Sequence, residues 1–210
     1  LALLSKEVLE INAEFDKMRL SIEKLTGVSG PALNQLTSDL SAIVNVFDAD
    51  FDDTLKATNT LMKTFGISGA EATKLIEEGF LSNANATGDL LDSVKEYSVQ
   101  IKAAGGDAGD LFKILNASGT AGVFSDKGID AVKEFGLRIR EQSTATSSAL
   151  KNAFGKPFAD EIANGLKDGS VTSIQALQKV GKELKGLNKT SKEYQTVIAD
   201  VFGGAGEDVG

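Results

Sequence analysis

Apolar residues recur through this chain at steps of three and four, and each such stripe is cut by a glycine and a short polar cap before the next begins. Positions three and four apart share one face of a helix, whereas a half-buried strand needs alternation with a step of two. No stretch of the chain sustains that alternation. The pattern predicts an all-α protein in which many amphipathic helices cover one another. No fixed sequence period accompanies the device, so the expected architecture is an irregular multi-helix bundle rather than a solenoid.

The most regular stripe comes first. Leu1, Leu4, Val8, Ile11, Phe15, Met18, Ile22 and Leu25 follow the spacing of a coiled-coil seam, and charged residues such as Glu10, Glu14, Lys17 and Glu23 fill the other faces. The spacing predicts an N-terminal coiled-coil-like helix, the heptad arm of residues 1–28. It fits two settings, a seam shared with another copy or a long helix packed on its own domain. The mixed seam selects no oligomeric state. Because the pattern is already under way at Leu1, the chain is expected to be part of a longer protein. Gly27-Val28-Ser29-Gly30-Pro31 then stops the helix, with Gly30 as cap and Pro31 as first helical residue, and a helical bundle domain is expected over 29–210. Leu33, Leu36, Leu40, Ile43 and Phe47 make a second stripe, expected to fold back as an antiparallel hairpin.

Asp48-Ala49-Asp50-Phe51-Asp52-Asp53 has the alternating carboxylates of a calcium loop, but Asp53 stands where the turn needs Gly and Asn59 where a bidentate Glu would close the site. Acidic capping of a helix beginning near Asp52 or Asp53 explains it better. Further stripes run through Leu61 and Phe65 to Gly66; from a Ser68/Glu71 capping box through Ile76 to an end at Gly79; through Val94 and Ile101 to Gly105-Gly106; and from an Asp107 cap through Leu111 and Leu115 to Gly119 and Gly122. Beyond a Ser/Thr-rich joint at 142–148, a helix through Phe154 breaks at Gly155-Lys156-Pro157. The last stripes run through Ile162, then Ile174, Val180 and Leu184, and finally from a Thr190/Glu193 capping box to Phe202.

The chain has no Cys and no His, which removes thiol nucleophiles, the usual zinc sites, Ser-His-Asp triads and the usual neutral-pH proton shuttle. Gly105-Gly106-Asp107-Ala108-Gly109 follows no strand and lacks the lysine of a phosphate loop. Neighbouring carboxylates such as Glu77-Glu78 and Asp160-Glu161 point to different helix faces. Accordingly no catalytic residue, no cofactor-binding residue and no metal ligand is predicted, and the chain is read as a non-enzyme. A net charge of −8 disfavours direct nucleic-acid binding. Lysines 151, 156, 167, 179, 182, 185, 189 and 192 nevertheless weight the C-terminal part, as a solvated face or as a contact for an acidic partner. No apolar run approaches the roughly 20 residues that span a bilayer, so no membrane contact is expected of this segment.

One stretch specifies its helix at both ends. Ser125 can cap it, Asp126 suits its positive end, Arg138 and Arg140 suit its negative end, and Glu134 stands four before Arg138. Ile129, Val132, Phe135, Gly136 and Ile139 form a stripe that other helices must cover. This Gly-x-Phe-Ser-Asp-Lys start, with Asp130 to Phe135 and the Arg-Ile-Arg end, resembles phage tail tape-measure (minor tail) proteins. The turns at Thr64 to Ala72 and at Val201 to Gly210 fit the same family in order. The resemblance implies a structural virion component of the phage tail, assembled in the bacterial cytoplasm from a phage or prophage gene. Such a protein limits tube length during assembly and leaves the tube at DNA ejection. Its implied partners are tail-tube, tail-tip and tail-assembly proteins, with self-association through the heptads. A helical adaptor, or the non-catalytic scaffold of a cell-wall-degrading enzyme, would show the same periodicity.

Overall fold

The computed structural model describes the backbone of residues 2–122 and 125–209 and the side chains of 13–122 and 126–206. Its helices are α1 (Ala2–Thr26), α2 (Gly30–Phe47), α3 (Phe51–Phe65), α4 (Gly69–Phe80), α5 (Leu90–Ala103), α6 (Ala108–Ala121), α7 (Ser125–Glu141), α8 (Thr144–Phe154), α9 (Lys156–Asp168), α10 (Ser173–Leu184), α11 (Lys192–Val197) and α12 (Gly203–Val209). A 3-10 turn at Asn83–Asn85 joins α4 to α5, and a π-helical stretch at Ile198–Phe202 joins α11 to α12. Among the described residues there is no strand, and the all-α multi-helix fold expected from the periodicity is the fold observed.

Three apolar clusters follow in chain order. The first joins Ile22 of α1 to Leu33, Leu36 and Leu40 of α2 and Leu55 of α3. α2 runs back along α1, and Arg19 Nε donates to Asn34 Oδ1 across the pair at 3.1 Å. The second cluster takes Leu61, Ile76, Val94, Leu111 and Leu115 from α3 to α6, and the third takes Leu150, Ile162, Val180, Val197 and Phe202 from α8 to the π-helical stretch. α7 belongs to both of the latter. Ile129 and Val132 enter the second cluster, whereas Phe135 and Ile139, each 0% exposed, enter the third, where the Phe135 ring lies 5.0 Å from that of Phe202. The stripe read from the sequence is thus buried along its length, and Glu134 pairs with Arg138 at 2.9 Å on its outer side.

Small residues let α3 and α5 approach. Thr54, Ala57 and Thr58 of α3 are buried, as are Ser93 and Ser98 of α5. A buried hydroxyl needs a partner, and Thr54, Thr58 and Ser98 each find one on the backbone four residues earlier. Thr54 donates to Asp50 O at 2.6 Å, Thr58 to Thr54 O at 2.8 Å and Ser98 to Val94 O at 2.6 Å. No polar demand is then placed on the facing helix.

Several local expectations change. Gly79 does not end α4, which runs to Phe80. A Cβ there would lie 2.8 Å from Phe112 Cε1 and 2.9 Å from Leu90 Cδ2, so glycine serves close packing. Gly119 likewise sits inside α6, where a Cβ would meet Asn83 O at 1.8 Å. The cap of α11 is Ser191, which accepts from Tyr194 N at 3.2 Å, while Thr190 donates to Asn188 Oδ1 at 2.9 Å. α3 begins at Phe51 with Asp50 as cap, and α2 begins at Gly30 with Ser29 as cap, each slightly earlier than the spacing suggests. The Ser68/Glu71 capping box, the Asp107 cap, the Gly66 terminus and the break at Gly155 are as read. The side chains of Leu1, Leu4, Val8, Ile11, Ser125 and Glu207 to Gly210 lie outside the described residues.

Candidate interaction surfaces

Side chains with chemical potential are held in structural roles. Asp50 caps α3 by accepting from Asp53 N at 2.9 Å, and Asp48 occupies the left-handed end of α2. Lys95 of α5 bridges Asp53 and Asp92 at 2.8 Å each, which ties α5 to the start of α3. The hydrogen bond from Lys95, aided by its charge, holds the Asp53 carboxyl below the usual carboxylate range. Burial opposes the charge on Lys95, but its hydrogen bonds to Asp53 and Asp92 outweigh that and raise its pKa. Glu71 is lowered by the Ser68 backbone N–H and then by the Ser68 hydroxyl. Among the described residues no group of three or more carboxylates is placed to hold a metal ion. Asp50 as cap and Asp53 as the partner of Lys95 give the alternation at Asp48 to Asp53 the roles of helix capping and an inter-helix clamp.

The lysines of the C-terminal part divide. Lys156 pairs with Asp160 and Lys179 with Glu161, whereas Lys185 and Lys189 stand on the rim of a groove of about 480 Å³. Its floor is Leu184, Leu187, Tyr194, Ile198 and Phe202. A groove of about 620 Å³ between α1 and α2 is lined by Phe15, Met18, Val44 and Phe51. Of the described seam positions, Ile22 is buried while Phe15 and Leu25 are each 38% exposed. The apolar face of α1 is thus only partly covered.

A third recess lies between α5 and α7 and was not legible as a stripe. It encloses about 190 Å³ against Ile101, Ala104, Ile129 and Val132, with Lys133 and Arg140 at its margin. Gln100 also lines it, while its Oε1 is buried out of reach of solvent and receives no hydrogen bond. An unpaired buried acceptor costs on the order of 1–3 kcal/mol, so it is an uncommon feature of a finished surface. Leu137, 51% exposed, lines the recess from α7, and Val99 of α5 is 63% exposed. The sequence signal for them is that each is a large apolar residue standing off its helix's buried stripe.

No described helix is long and apolar enough to cross a membrane. The buried hydroxyls of Thr58 and Ser98 donate to backbone carbonyls, and no His or Cys is present to activate a nucleophile. The three recesses described above present apolar side chains for non-covalent contact.

Comparison with known proteins bears on whose contacts these are. Residues 6–203 match the model of a family described as phage-related minor tail protein. The chain is also similar to an uncharacterized protein, YqbO, of Bacillus subtilis (strain 168), with 28% identity over 198 residues. That alignment covers 92% of this chain and 12% of the relative, so the chain spans about an eighth of the relative's length. No solved structure matches the chain.

Proposed function

The chain belongs to the phage-related minor tail protein family, and from that membership we propose that it is a segment of a tape-measure protein, a structural component of the virion tail. In this reading the complete protein sets tail-tube length during assembly and is released at DNA ejection. The observation that carries it is the family match over residues 6–203, set beside a relative in which the aligned stretch is 12% of the length. A length standard needs many residues in elongated form, and helix supplies about 1.5 Å for each.

Its activity is repeated non-covalent contact with tail-tube, tail-tip and tail-assembly proteins, without turnover. Residues 1–28 form a heptad arm, available to pair with a second copy, and 29–210 form the bundle domain. The partly uncovered seam at Phe15 and Leu25 supports the first assignment, and the two clusters shared through α7 support the second. A net charge of −8 supports protein partners over direct contact with the phosphates of DNA. Assembly takes place in the bacterial cytoplasm.

An in-frame deletion of about 100 residues from a helical part of the complete gene tests the reading. Tails should shorten by about 150 Å in electron micrographs, at 1.5 Å per residue. Tails of unchanged length would remove the length-setting role. Release of dye from purified cell walls by the segment itself, abolished by one carboxylate substitution, would show a catalytic segment and end the structural reading.

A further inference from the structure

We propose that the groove over Leu184, Ile198 and Phe202 receives the end of α4 from a second copy of the chain, with Leu81 entering it and Glu77 and Glu78 meeting Lys185 and Lys189. At about 480 Å³ the groove admits more than one side chain, since a cavity of about 150 Å³ already takes up benzene. Its lining includes both lysines and no carboxylate. Lys156 and Lys179 are paired within the chain, whereas Lys185 and Lys189 are exposed and pair with no carboxylate among the described residues. The occupant is therefore apolar with acidic flanks. It is also helical, because the groove is walled by helices and offers no strand edge, and a helix closes its own hydrogen bonds.

The chain carries such a surface itself. Of its exposed large apolar residues, Leu81, 71% exposed, is the one with carboxylates both three and four positions before it. That spacing puts Glu77, Glu78 and Leu81 on one face at the end of α4. The last turn of α4 has no basic residue, so the two carboxylates stand at the negative end of the helix dipole, where incoming cations are favourable. Lys74 reaches only Glu78, at 3.8 Å, with both side chains more than half exposed. Val46, 72% exposed, shares a recess with Glu77 and widens the apolar part of the surface.

The spacings of the two surfaces match. Glu77 and Leu81 are four apart on α4, and Gly181, on the groove wall, and Lys185 are four apart at the end of α10. Antiparallel helices in this register bring Leu81 over Gly181 and Glu77 to Lys185. Nothing lies within 4 Å of a Cβ at Gly181, so that position is open to an incoming side chain. Because the two patches differ, each copy keeps one of each, and the contact runs head to tail from copy to copy. It uses neither residues 1–28 nor the length-setting role, so its failure would leave both standing.

The chain has no Cys, so single cysteines report this contact alone. Leu81→Cys alters an exposed position and Gly181→Cys an open one, and the fold should survive both. The two chains are mixed in equal amounts with oxidised glutathione. The mixed disulfide should form about tenfold faster than either homodisulfide, through the raised effective concentration of the paired thiols. Adding Lys185→Glu and Lys189→Glu to the Gly181→Cys chain should remove that preference. Adding Glu77→Lys and Glu78→Lys to the Leu81→Cys chain should then restore it. A mixed disulfide no faster than the homodisulfides would leave the groove to another protein and overturn the proposal. A preference that survives the lysine reversal, or that the paired reversal does not restore, would overturn it as well.

Discussion

Gly119 and Gly181 are both helical glycines, and their surroundings give them opposite consequences. A Cβ at Gly119 would meet the backbone carbonyl of Asn83 at 1.8 Å, in the 3-10 turn that is also fixed by Asn83 N donating to Asn116 Oδ1 at 3.0 Å. Backbone on both sides leaves nothing flexible to give way. At Gly181 nothing lies within 4 Å of a Cβ. Gly181→Ala should therefore stabilise the chain by about 0.5–1 kcal/mol through lower unfolded-state entropy and better helix propensity. Gly119→Ala should destabilise it by about 1–3 kcal/mol through overpacking. Urea midpoints at unchanged slope measure both, and a stabilising Gly119→Ala would mean that the 3-10 turn is not seated on α6. The sequence read Gly119 as the end of a stripe, and that it touches a neighbour was not legible, because the contact is made by residues more than 30 positions away, as the Asn83 to Asn116 bond shows with its separation of 33.

Between elements, the Asp53–Lys95–Asp92 cluster joins α3 to α5 and carries a pH dependence. Asp53 and Glu71 both have carboxyls held below their ordinary values in the folded chain. A carboxylate whose folded pKa is depressed adds stability that is complete above the unfolded value and lost as pH falls through the folded one. The window opens near the ordinary values of about 3.9 for Asp and 4.3 for Glu and extends downward. Thermal midpoints should fall as pH drops below that range. Asp53→Asn should flatten the decline, and an acid limb unchanged in Asp53→Asn would show that Lys95 is satisfied without it. The capping half of this was legible, since Ser68 and Glu71 stand three apart. The clamp was not, because Asp53 and Lys95 are separated by 42 residues and meet only when the Thr and Ser faces of α3 and α5 pack together.

For the whole molecule, α7 decides whether the second and third clusters behave as one unit. Ile129 and Val132 enter one, Phe135 and Ile139 the other, and Ile174 and Val180 of α10 are divided in the same way. Two shared helices favour a joint transition. The tyrosines report each side, Tyr97 in the second cluster and Tyr194 in the third. Single-tyrosine chains, made with Tyr97→Phe or Tyr194→Phe, should show coincident denaturation by fluorescence. Phe135→Ala should move both transitions together by about 3–5 kcal/mol, since the deleted ring is fully enclosed and leaves a cavity. Loss of the Tyr194 transition alone would show two independent cores.

The sequence by itself determined that this protein is a succession of helices, where most of them start and stop, and which face of several is buried, down to Phe135 and its neighbours on α7. A helix closes its hydrogen bonds within four residues, so periodicity, caps and glycines within a short window suffice. Only the tertiary structure decided that Gly79 and Gly119 are packing positions, that Thr146 reaches Asp200 O across 54 residues, and that Gln100 Oε1 is buried beside an apolar recess without a donor. Those outcomes depend on which helix faces meet and how closely. That is set by the fit of side chains distant in the chain, which no local window contains.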